Sequence, residues 1–399
     1  MTILPRDFCI RTCEEDIMKK ICFVTTVSLT VRAFVLPVIR YFREHTDWEI
    51  TVICHEDPQL LELLPEGVRY IPISMERGVN IGGIKAMLKM IKIFRREKFD
   101  LVQYSTPNAS FYASLAAWIT RIPVRLYAQW GIAYVGFTGI KRWIFKTLEK
   151  MICKLSTWVE PDSFGNLKFS HEEGLYPEEK GAVIWSGSAC GVNLQKFDIS
   201  HKQEWRQVIR RQYGIGVSDF VYGFIGRITG DKGINELFAA GKRILQEKPD
   251  VWLMLVGYLE KPETVDQTLL NWAQNEKRVL FCGYTDVVEQ YLSAMDVYVL
   301  PSHREGFGSA VVEAEVMGVP VIVTDIPGPT DAMLRNETGI VVQKADVDSL
   351  YDGMRKMQED KDMRLRFAER AHSFGTERFE QNKLAEYILE DRKRLLNCL

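Results

Sequence analysis

The chain has 399 residues, which is enough for two domains of about 150–200 residues each. Its 51 basic and 53 acidic side chains leave a net charge of −2, so the composition predicts no nucleic-acid partner. The eight cysteines form no CxxC pair and no Cys/His cluster, which favours reduced thiols over a disulfide framework or a zinc site.

The start of the chain lacks both a strand pattern and the apolar core of a signal peptide, because "MTILPRDFCIRTCEEDIMKK" carries three consecutive acids. We expect residues 1–18 to be a tail, or the product of an upstream start codon, outside the fold. Elsewhere no apolar run reaches the ~18–20 residues that a membrane-spanning helix needs. We therefore expect a cytoplasmic protein whose contact with a membrane, if it has one, is peripheral and at the inner face.

Short β-rich runs alternate with helix-length segments along most of the chain. In the first half, strands are predicted over 21–27, 48–54, 68–73, 101–106, 124–129, 157–163 and 181–187. In the second half they are predicted over 220–226, 251–257, 278–283, 296–302, 320–325 and 339–343, with helices after 345. Most of these runs are continuously apolar, as in parallel sheets that are covered on both faces. The pattern predicts an α/β fold of two doubly wound, Rossmann-like domains that face each other across a cleft.

A polar, turn-rich stretch at 188–218 interrupts this series and predicts the crossing between the two domains. We place the first domain at 19–195, a linker region at 196–218, the second domain at 219–380 and a final helix at 381–399.

Two carboxylates, Glu305 and Glu313, stand eight residues apart, just after the strand predicted at 296–302. In open parallel sheets, ligands bind at the carboxyl ends of strands, beside the N-termini of the following helices. Carboxylates at that edge are well suited to accept hydrogen bonds from ligand hydroxyls. The alternative is a surface charge on a helix and a loop charge that the helix dipole favours.

A helix is predicted to begin near Ser309, a good N-cap residue, and to end at Gly318. Gly306 and Gly308 would let the backbone come close to a ligand. Free N–H groups and the helix dipole would then favour an anion such as a phosphate.

A second strand-to-helix loop, in "FVYGFIGRITGDKG", carries Arg227 and Lys232. Two cations on one such loop are well placed to bind phosphates, although two solvated charges are the alternative. The chain contains no GxxxxGK[ST] phosphate loop, and its first strand-to-helix loop, "TTVSLTVRAF", lacks the glycines of a dinucleotide site.

Four segments resemble, in the same order, motifs of one enzyme family: "TPNASFYASLAA", "GSACGVNLQKFD", "GRITGDKG" and "REGFGSAVVEAEVMGVPVIVTDIPG". On these segments, residues 19–397 resemble the retaining GT-B glycosyltransferases of family 4. Among them, the bacterial enzymes that build surface polysaccharides and lipid-linked oligosaccharides are the most similar. In this fold the final helix crosses back onto the first domain.

The resemblance implies a donor site for a nucleotide sugar, with no metal cofactor expected. Arg227 and Lys232 would hold the donor diphosphate, and Glu305 would contact hydroxyls of the transferred sugar; these three are the expected catalytic residues. Glu313 would bind the ribose diol. The other expected contacts of the nucleotide sugar are Gly283, Tyr284, Gly306, Phe307, Gly308 and Ser309. The relatives with this motif suggest a UDP-N-acetylhexosamine or a UDP-hexose as donor.

The acceptor side departs from the family pattern. Trp130 stands where the family commonly has a histidine, and an indole N–H donates hydrogen bonds but accepts no proton. Asn108 replaces the lysine that usually follows Thr106 and its proline, and Asn193 replaces the usual aspartate. The resemblance implies same-face attack on the sugar, with the leaving phosphate oxygen taking the proton of the acceptor.

Two basic amphipathic segments, 82–99 and 139–158, carry lysines and arginines beside apolar residues and a tryptophan at position 143. Such helices bind anionic bilayers, but helices that cover a sheet have the same pattern. Membrane contact would suit a lipid-linked acceptor. A nucleotide-sugar epimerase of the same architecture and a nucleotide-sugar-binding protein without turnover are the alternative functions.

Overall fold

The computed structural model describes residues 18–75, 78 and 80–397. The tail expected at residues 1–18 therefore lies, except for Met18, outside the described residues. The last two residues of the predicted final helix lie outside them as well.

Six parallel strands form the first sheet, in the order β3-β2-β1-β4-β5-β6. They are β1 (Lys20–Val24), β2 (Glu49–Cys54), β3 (Arg69–Pro72), β4 (Leu101–Tyr104), β5 (Val124–Gln129) and β6 (Trp158–Pro161). The helices of this half are α1 (Ser28–Thr30), α2 (Leu36–His45), α3 (Pro58–Leu63), α4 (Ile81–Glu97), α5 (Pro107–Ile119), α6 (Gly139–Leu155) and α7 (Phe164–Glu172). A π-helical turn at Val31–Val35 joins α1 to α2, and 3-10 turns lie at Ala133–Gly136 and Glu178–Lys180.

The second sheet also has six parallel strands, in the order β12-β11-β10-β7-β8-β9. They are β7 (Phe220–Ile225), β8 (Val251–Val256), β9 (Val279–Gly283), β10 (Val297–Leu300), β11 (Val321–Thr324) and β12 (Gly339–Val342). The helices in the remainder of the chain are α8 (Lys202–Gln212), α9 (Ile234–Glu247), α10 (Gln267–Asn275), α11 (Val288–Ala294), α12 (Ser309–Val316), α13 (Val347–Glu359), α14 (Lys361–Phe379) and α15 (Gln381–Asn397). Further 3-10 turns lie at Ile199–His201, Gly230–Lys232 and Pro262–Thr264.

Strand β1 shows why these strands are apolar at every position. Ile21 and Phe23 pack into the core on one face of the first sheet, and Cys22 and Val24 pack into the core on the other. Successive side chains of a strand point to opposite faces, so a sheet covered on both faces leaves no polar side. The predicted class, α/β with two doubly wound sheets, is confirmed.

One predicted strand is wrong. Residues 181–187 form an isolated bridge from Gly181 to Val159 and then turn, with Trp185 at φ 49° and Gly187 at φ 91°. The segment is half-buried by packing and not by strand pairing: the ring of Trp185 stacks on Tyr387 of α15, with ring centroids 5.5 Å apart.

The final helix α15 packs on α2, against the first sheet. Arg392 is almost completely buried and binds Glu160 of β6 with both terminal nitrogens, one of them at 3.0 Å. It also donates to the amide oxygen of Gln103 in β4, at 3.1 Å. The chain therefore passes twice between its halves, and the two passages are hydrogen-bonded to each other where Val192 meets Phe379 and Gln381.

Glu315 on α12 lowers the stability of the core around the second sheet. Its side chain is completely buried, and neither carboxylate oxygen has a hydrogen-bond partner among the described residues. Burial raises the pKa of this carboxyl well above its usual 4.5, and the neighbouring hydroxyl of Thr338 and the charge of Arg370 oppose this shift. Since the unfolded chain ionises first, the free energy of unfolding falls as the pH rises above about 4.5.

We expect Glu315→Met to stabilise the protein by about 1–3 kcal/mol at pH 8, because it removes an unsatisfied buried polar group. The gain should shrink towards pH 4.5, where the carboxyl of the folded wild type is protonated and that of the unfolded chain is half protonated. Urea denaturation at the two pH values measures this, with Glu263→Met at an exposed position as the control. Equal stability at pH 8 would show that a donor reaches the carboxylate.

Candidate active site

The site lies where the strand order of the second sheet reverses, between β7 and β10. The loops that follow these two strands leave in opposite directions, and the crevice between them is where open α/β sheets bind ligands. Lys232 follows β7 and Glu305 follows β10. Their side chains are mostly buried and meet at 2.5 Å between Nζ and Oε1, while the hydroxyl of Ser302 donates to the same oxygen at 2.8 Å. Two of the expected catalytic residues are thus in contact.

The two loops touch because one position is glycine. Gly233 follows Lys232 at φ 71°, and a methyl group added there would lie 1.9 Å from the backbone oxygen of Pro301. No side chain fits in that space, and a positive φ is costly for other residues. The close approach of the two backbones brings the ammonium group of Lys232 to the carboxylate of Glu305.

Arg227 lies apart from this pair. It is exposed, and its guanidinium group pairs with Glu260 at 3.4 Å. The structure therefore places it on the same loop as Lys232, as expected, but does not bring it into contact with Glu305. Its long side chain is free of the core and able to turn towards an anion in the crevice.

The turn before α12 presents backbone N–H groups. The expectation that Ser309 caps this helix is wrong: Gly308 is the N-cap, at φ 87°, and Ser309 is the first helical residue. The reason is the left-handed φ, which favours glycine. The hydrogen bonds of the described residues include none donated by the N–H groups of Gly306, Phe307 or Gly308. The ring of Phe307 is buried and packs against Phe379, which holds this turn in place.

Glu313 lies one turn inside α12 and is partly exposed. Burial of its carboxylate raises the pKa from the usual 4.5 to about 7; the charge of Lys196 opposes this effect and that of Glu289 adds to it. Lys196 belongs to the segment before α8 and also pairs with Glu289 at 3.7 Å. No sequence pattern singles out Lys196, since its partners are about 90 residues or more away along the chain.

The turn after β9 carries the remaining expected donor residues. The ring of Tyr284 is exposed and stacks on that of Tyr258, with centroids 5.7 Å apart and planes 10° from parallel. Its hydroxyl donates to Asp286 at 2.6 Å. The carbonyl of Gly283 accepts from the N–H of Gly257 at 2.7 Å, which fixes this turn against the end of β8. A pair of exposed aromatic rings is a suitable platform for a planar base.

On the opposite side of the crevice, Trp130 follows β5 and its ring lies 5.5 Å from that of Phe34. The adjacent Gly131 meets Gly306 directly: a methyl group added at Gly131 would lie 3.2 Å from the Cα of Gly306. The expected acceptor residue Trp130 therefore lies beside the loop that carries Glu305.

Thr106 and Asn108 open α5, at the same edge of the first sheet. Thr106 has φ 70°, unusual for a β-branched residue, and its hydroxyl is 2.7 Å from that of Thr26. The side-chain oxygen of Asn108 accepts from the N–H of Gly78 at 3.3 Å. No contact between these two residues and Trp130 is seen among the described residues.

Sequence reasoning missed Asp162 and Asn166, which follow β6 and reach the same loop. Asp162 is buried, and burial raises the pKa of its carboxyl to about 7; a hydrogen bond from Asn166 opposes this shift, while Asp331 and Glu305 add to it. The strand-end rule that selected Glu305 applies equally to Asp162, which is the next-to-last residue of the run "TWVEPDS" and follows β6 directly.

Comparison with known proteins assigns the family. Residues 206–374 match the family described as "Glycosyl transferases group 1", and residues 20–159 match "Glycosyl transferase 4-like". The capsular polysaccharide biosynthesis glycosyltransferase CapM of Staphylococcus aureus is 30% identical over 95% of this chain and 97% of its own. The chain belongs to the group 1 glycosyltransferases. It is an enzyme, a glycosyltransferase.

Two further relatives of this glycosyltransferase are informative. The UDP-Gal:alpha-D-GlcNAc-diphosphoundecaprenol alpha-1,3-galactosyltransferase of Escherichia coli is 26% identical over 79% of this chain and 81% of its own. The crystal structure of Anabaena HepE in complex with UDP and glucose superposes with a TM-score of 0.77, at 19% identity, over 94% of this chain and 99% of that one. This likeness, with the two facing sheets, confirms the GT-B fold.

Two features are absent from the described residues of this glycosyltransferase: a metal-binding cluster and a membrane-spanning helix. No cluster of three or more His, Cys, Asp or Glu side chains is placed to hold a metal ion. No helix is both long enough and apolar enough to span a membrane.

The raised pKa of Glu313 gives a testable pH dependence for the ligand-free enzyme. Because the folded pKa lies above the unfolded one, the free energy of unfolding falls as the pH rises from about 4.5 to about 7. We expect Glu313→Gln to raise the melting temperature at pH 8 and to change it little at pH 4.5. Thermal unfolding measures this, with the exposed Glu62→Gln as the control. A gain that is the same at both pH values would contradict the titration.

Proposed function

We propose that this glycosyltransferase moves a hexose or an N-acetylhexosamine from a UDP-sugar to a saccharide carried on a polyprenyl diphosphate lipid. The product would be a building block of cell-surface polysaccharide. The observation that carries the proposal is the Lys232–Glu305 pair beside the N–H groups of the turn before α12, which donate no hydrogen bond to any of the described residues. The names of the Staphylococcus and Escherichia relatives support the biosynthetic setting and the lipid acceptor.

The donor diphosphate would compete with Glu305 for Lys232. Its charge is larger than that of one carboxylate, so the ammonium group would turn to it and Arg227 would leave Glu260 to join. Glu305 would then be released to accept hydrogen bonds from hydroxyls of the transferred sugar. The backbone N–H groups of Gly306, Phe307 and Gly308 would lie beside the same sugar.

The nucleoside would occupy the rest of the crevice. Glu313 in its ionised form would accept both ribose hydroxyls, and the base would lie on the ring of Tyr284 above Gly283. The N–H group of Ser309 would add to the positive end of α12, which favours the diphosphate.

In the reaction, the bond from the sugar C1 to the phosphate oxygen breaks as the acceptor oxygen bonds to C1 from the same face. The leaving phosphate oxygen takes the proton of the acceptor hydroxyl. Lys232, Arg227 and the helix N-terminus stabilise the charge that develops on the diphosphate. Trp130 takes no part in the proton transfer, because its indole has no basic nitrogen; it would position the acceptor by contact.

The acceptor lipid fits the exposed surface of α4 and α6. Both helices pack on α5. Crossover helices of one parallel sheet run in the same direction, so their N-terminal ends share the edge that faces the crevice. The exposed apolar side chains lie at that end of each helix: Ile81, Ile84 and Leu88 on α4, and Ile140, Trp143 and Ile144 on α6.

Lysines flank these side chains. Lys85 and Lys89 are exposed on α4, and Lys141 is exposed on α6. Arg142 and Lys146 are paired with Glu173, which is the ordinary arrangement on a solvated helix. We propose that the combined apolar and basic surface holds the enzyme peripherally on the anionic inner face of the cell membrane, beside its acceptor.

Nucleotide release from a panel of UDP-, GDP- and ADP-sugars, with and without polyprenyl-linked acceptor, tests the reaction. We expect UDP to be released and the release to depend on the lipid. Lipid-independent conversion of the sugar would indicate an epimerase, and binding without turnover would indicate a sensor. A rise in melting temperature with GDP or ADP sugars, and none with UDP sugars, would overturn the donor assignment.

Variants of the two glutamates should separate binding from turnover. At ~100 times its dissociation constant, UDP should stabilise the wild type by about 2.7 kcal/mol. We expect Glu313→Ala to lose most of this stabilisation. Glu305→Ala should keep it and lose about 100–1000-fold in turnover. Wild-type behaviour of both variants, with the exposed Glu62→Ala as reference, would contradict the site assignment.

Vesicle binding tests the membrane surface. We expect the enzyme to sediment with vesicles that contain phosphatidylglycerol and to stay in solution with phosphatidylcholine alone. The double variant Ile140→Ser and Trp143→Ser, at positions 79% and 69% exposed, should bind about tenfold less tightly because it loses buried apolar area. Leu61→Ser, on α3 at the opposite face of the sheet, is the matched control. Equal binding by the double variant would exclude this surface.

A further inference from the structure

The loop that carries Glu305 is held from the other half of the molecule. The side-chain nitrogen of Asn166, on α7, donates to the backbone oxygen of Gly306 at 2.9 Å and to a carboxylate oxygen of Asp162 at 3.1 Å. The Gly306 carbonyl can accept but not donate, so the group facing it must be the amide nitrogen of Asn166. The orientation of this side chain follows from its two partners.

The contact between this loop and the first half requires glycine at position 306. A methyl group added at Gly306 would lie 2.7 Å from the second carboxylate oxygen of Asp162 and 3.3 Å from the backbone nitrogen of Gly131. A second tether starts beside Asn166: the N–H of Gly165 donates to the carboxylate of Asp331 at 2.7 Å. The turn after β6 is thus bound at two points to the second half of the chain.

The hydrogen bond to Gly306 also orients the next N–H group. No peptide bond among the described residues is cis. In a trans peptide the C=O and the following N–H point in opposite directions. Since Asn166 draws the Gly306 oxygen towards the first half, the N–H of Phe307 is turned away from it, towards the second half and the start of α12.

We propose that Asn166, itself oriented by Asp162, is a positioning residue for transfer: it fixes the Gly306–Phe307 peptide so that Glu305 and the Phe307 N–H meet the donor sugar when the two halves are together. This inference rests on the proposed donor site. In this arrangement a residue of the first half completes the proposed donor site of the second half. The sugar is then aligned for attack when the turn between β6 and α7 is in place.

The role predicts a separation of turnover from nucleotide binding. The nucleoside and diphosphate contacts lie on the second half alone, so Asn166→Ala should leave the dissociation constant of UDP within about twofold of the wild type. Its kcat should fall about 10–100-fold, because a misplaced reacting group is costly even over 1 Å. Asn166→Asp keeps the size and loses the donor to the Gly306 carbonyl, so it should fall at least as far.

UDP affinity by calorimetry, and kcat and KM for UDP-sugar in the presence of acceptor lipid, measure these effects. Lys168→Ala, an exposed position on the same helix, is the matched control. Unchanged kcat in Asn166→Ala, full activity of Asn166→Asp, or equal losses of UDP affinity and kcat would overturn the positioning role. Absence of UDP binding by the wild type would overturn the proposed function first, and this inference with it.

Discussion

The buried ion pair between Arg392 and Glu160 fixes how the two halves of the molecule are joined. Taking both charges out of water is costly, and the paired geometry with a third bond to Gln103 is what offsets that cost. Removing one partner of such a pair typically costs about 3–5 kcal/mol. Because the pair anchors the last helix on the first sheet, the chain must return across the crevice after completing the second sheet. The carboxyl edges of the two sheets are thereby held face to face.

Within that arrangement, the crevice between the two sheets brings together carboxylates, cations and backbone N–H groups. Glu305 is neutralised by Lys232, while burial shifts the titration of Glu313 and Asp162 towards neutral pH. Among the described residues, the backbone N–H groups before α12 have no acceptor. At the proposed donor site a nucleotide sugar would offer what each of these groups needs: hydroxyls for carboxylates and phosphate oxygens for N–H groups and cations. The features that lower the stability of the folded chain would therefore favour the complex.

The sequence was sufficient for the strands and for the strand-end loops, because continuous apolar runs and the strand-end rule are local signals. The strand prediction failed at 181–187. This apolar run packs against Tyr387, which lies some 200 residues later in the chain, and does not join a sheet. The N-cap of α12 was predicted one residue too late, at Ser309. The sequence shows a residue type that often caps helices, but it does not show the left-handed φ of Gly308. Asn166 was missed because its partner Gly306 is 140 residues distant, a spacing without any pattern.

The two passages between the halves are hydrogen-bonded to each other, where Val192 meets Phe379 and Gln381. Two chain passages that lie side by side would permit the two halves to rotate relative to each other about one short axis and would resist a sliding movement between them. Distance from the axis then sets how far each group travels. Phe307 packs against Phe379 at this axis and would move little during such a rotation. The parts of the crevice farthest from the axis would move the most. Substrates would enter where the crevice is farthest from the axis, while the turn that begins α12 would stay fixed relative to the axis.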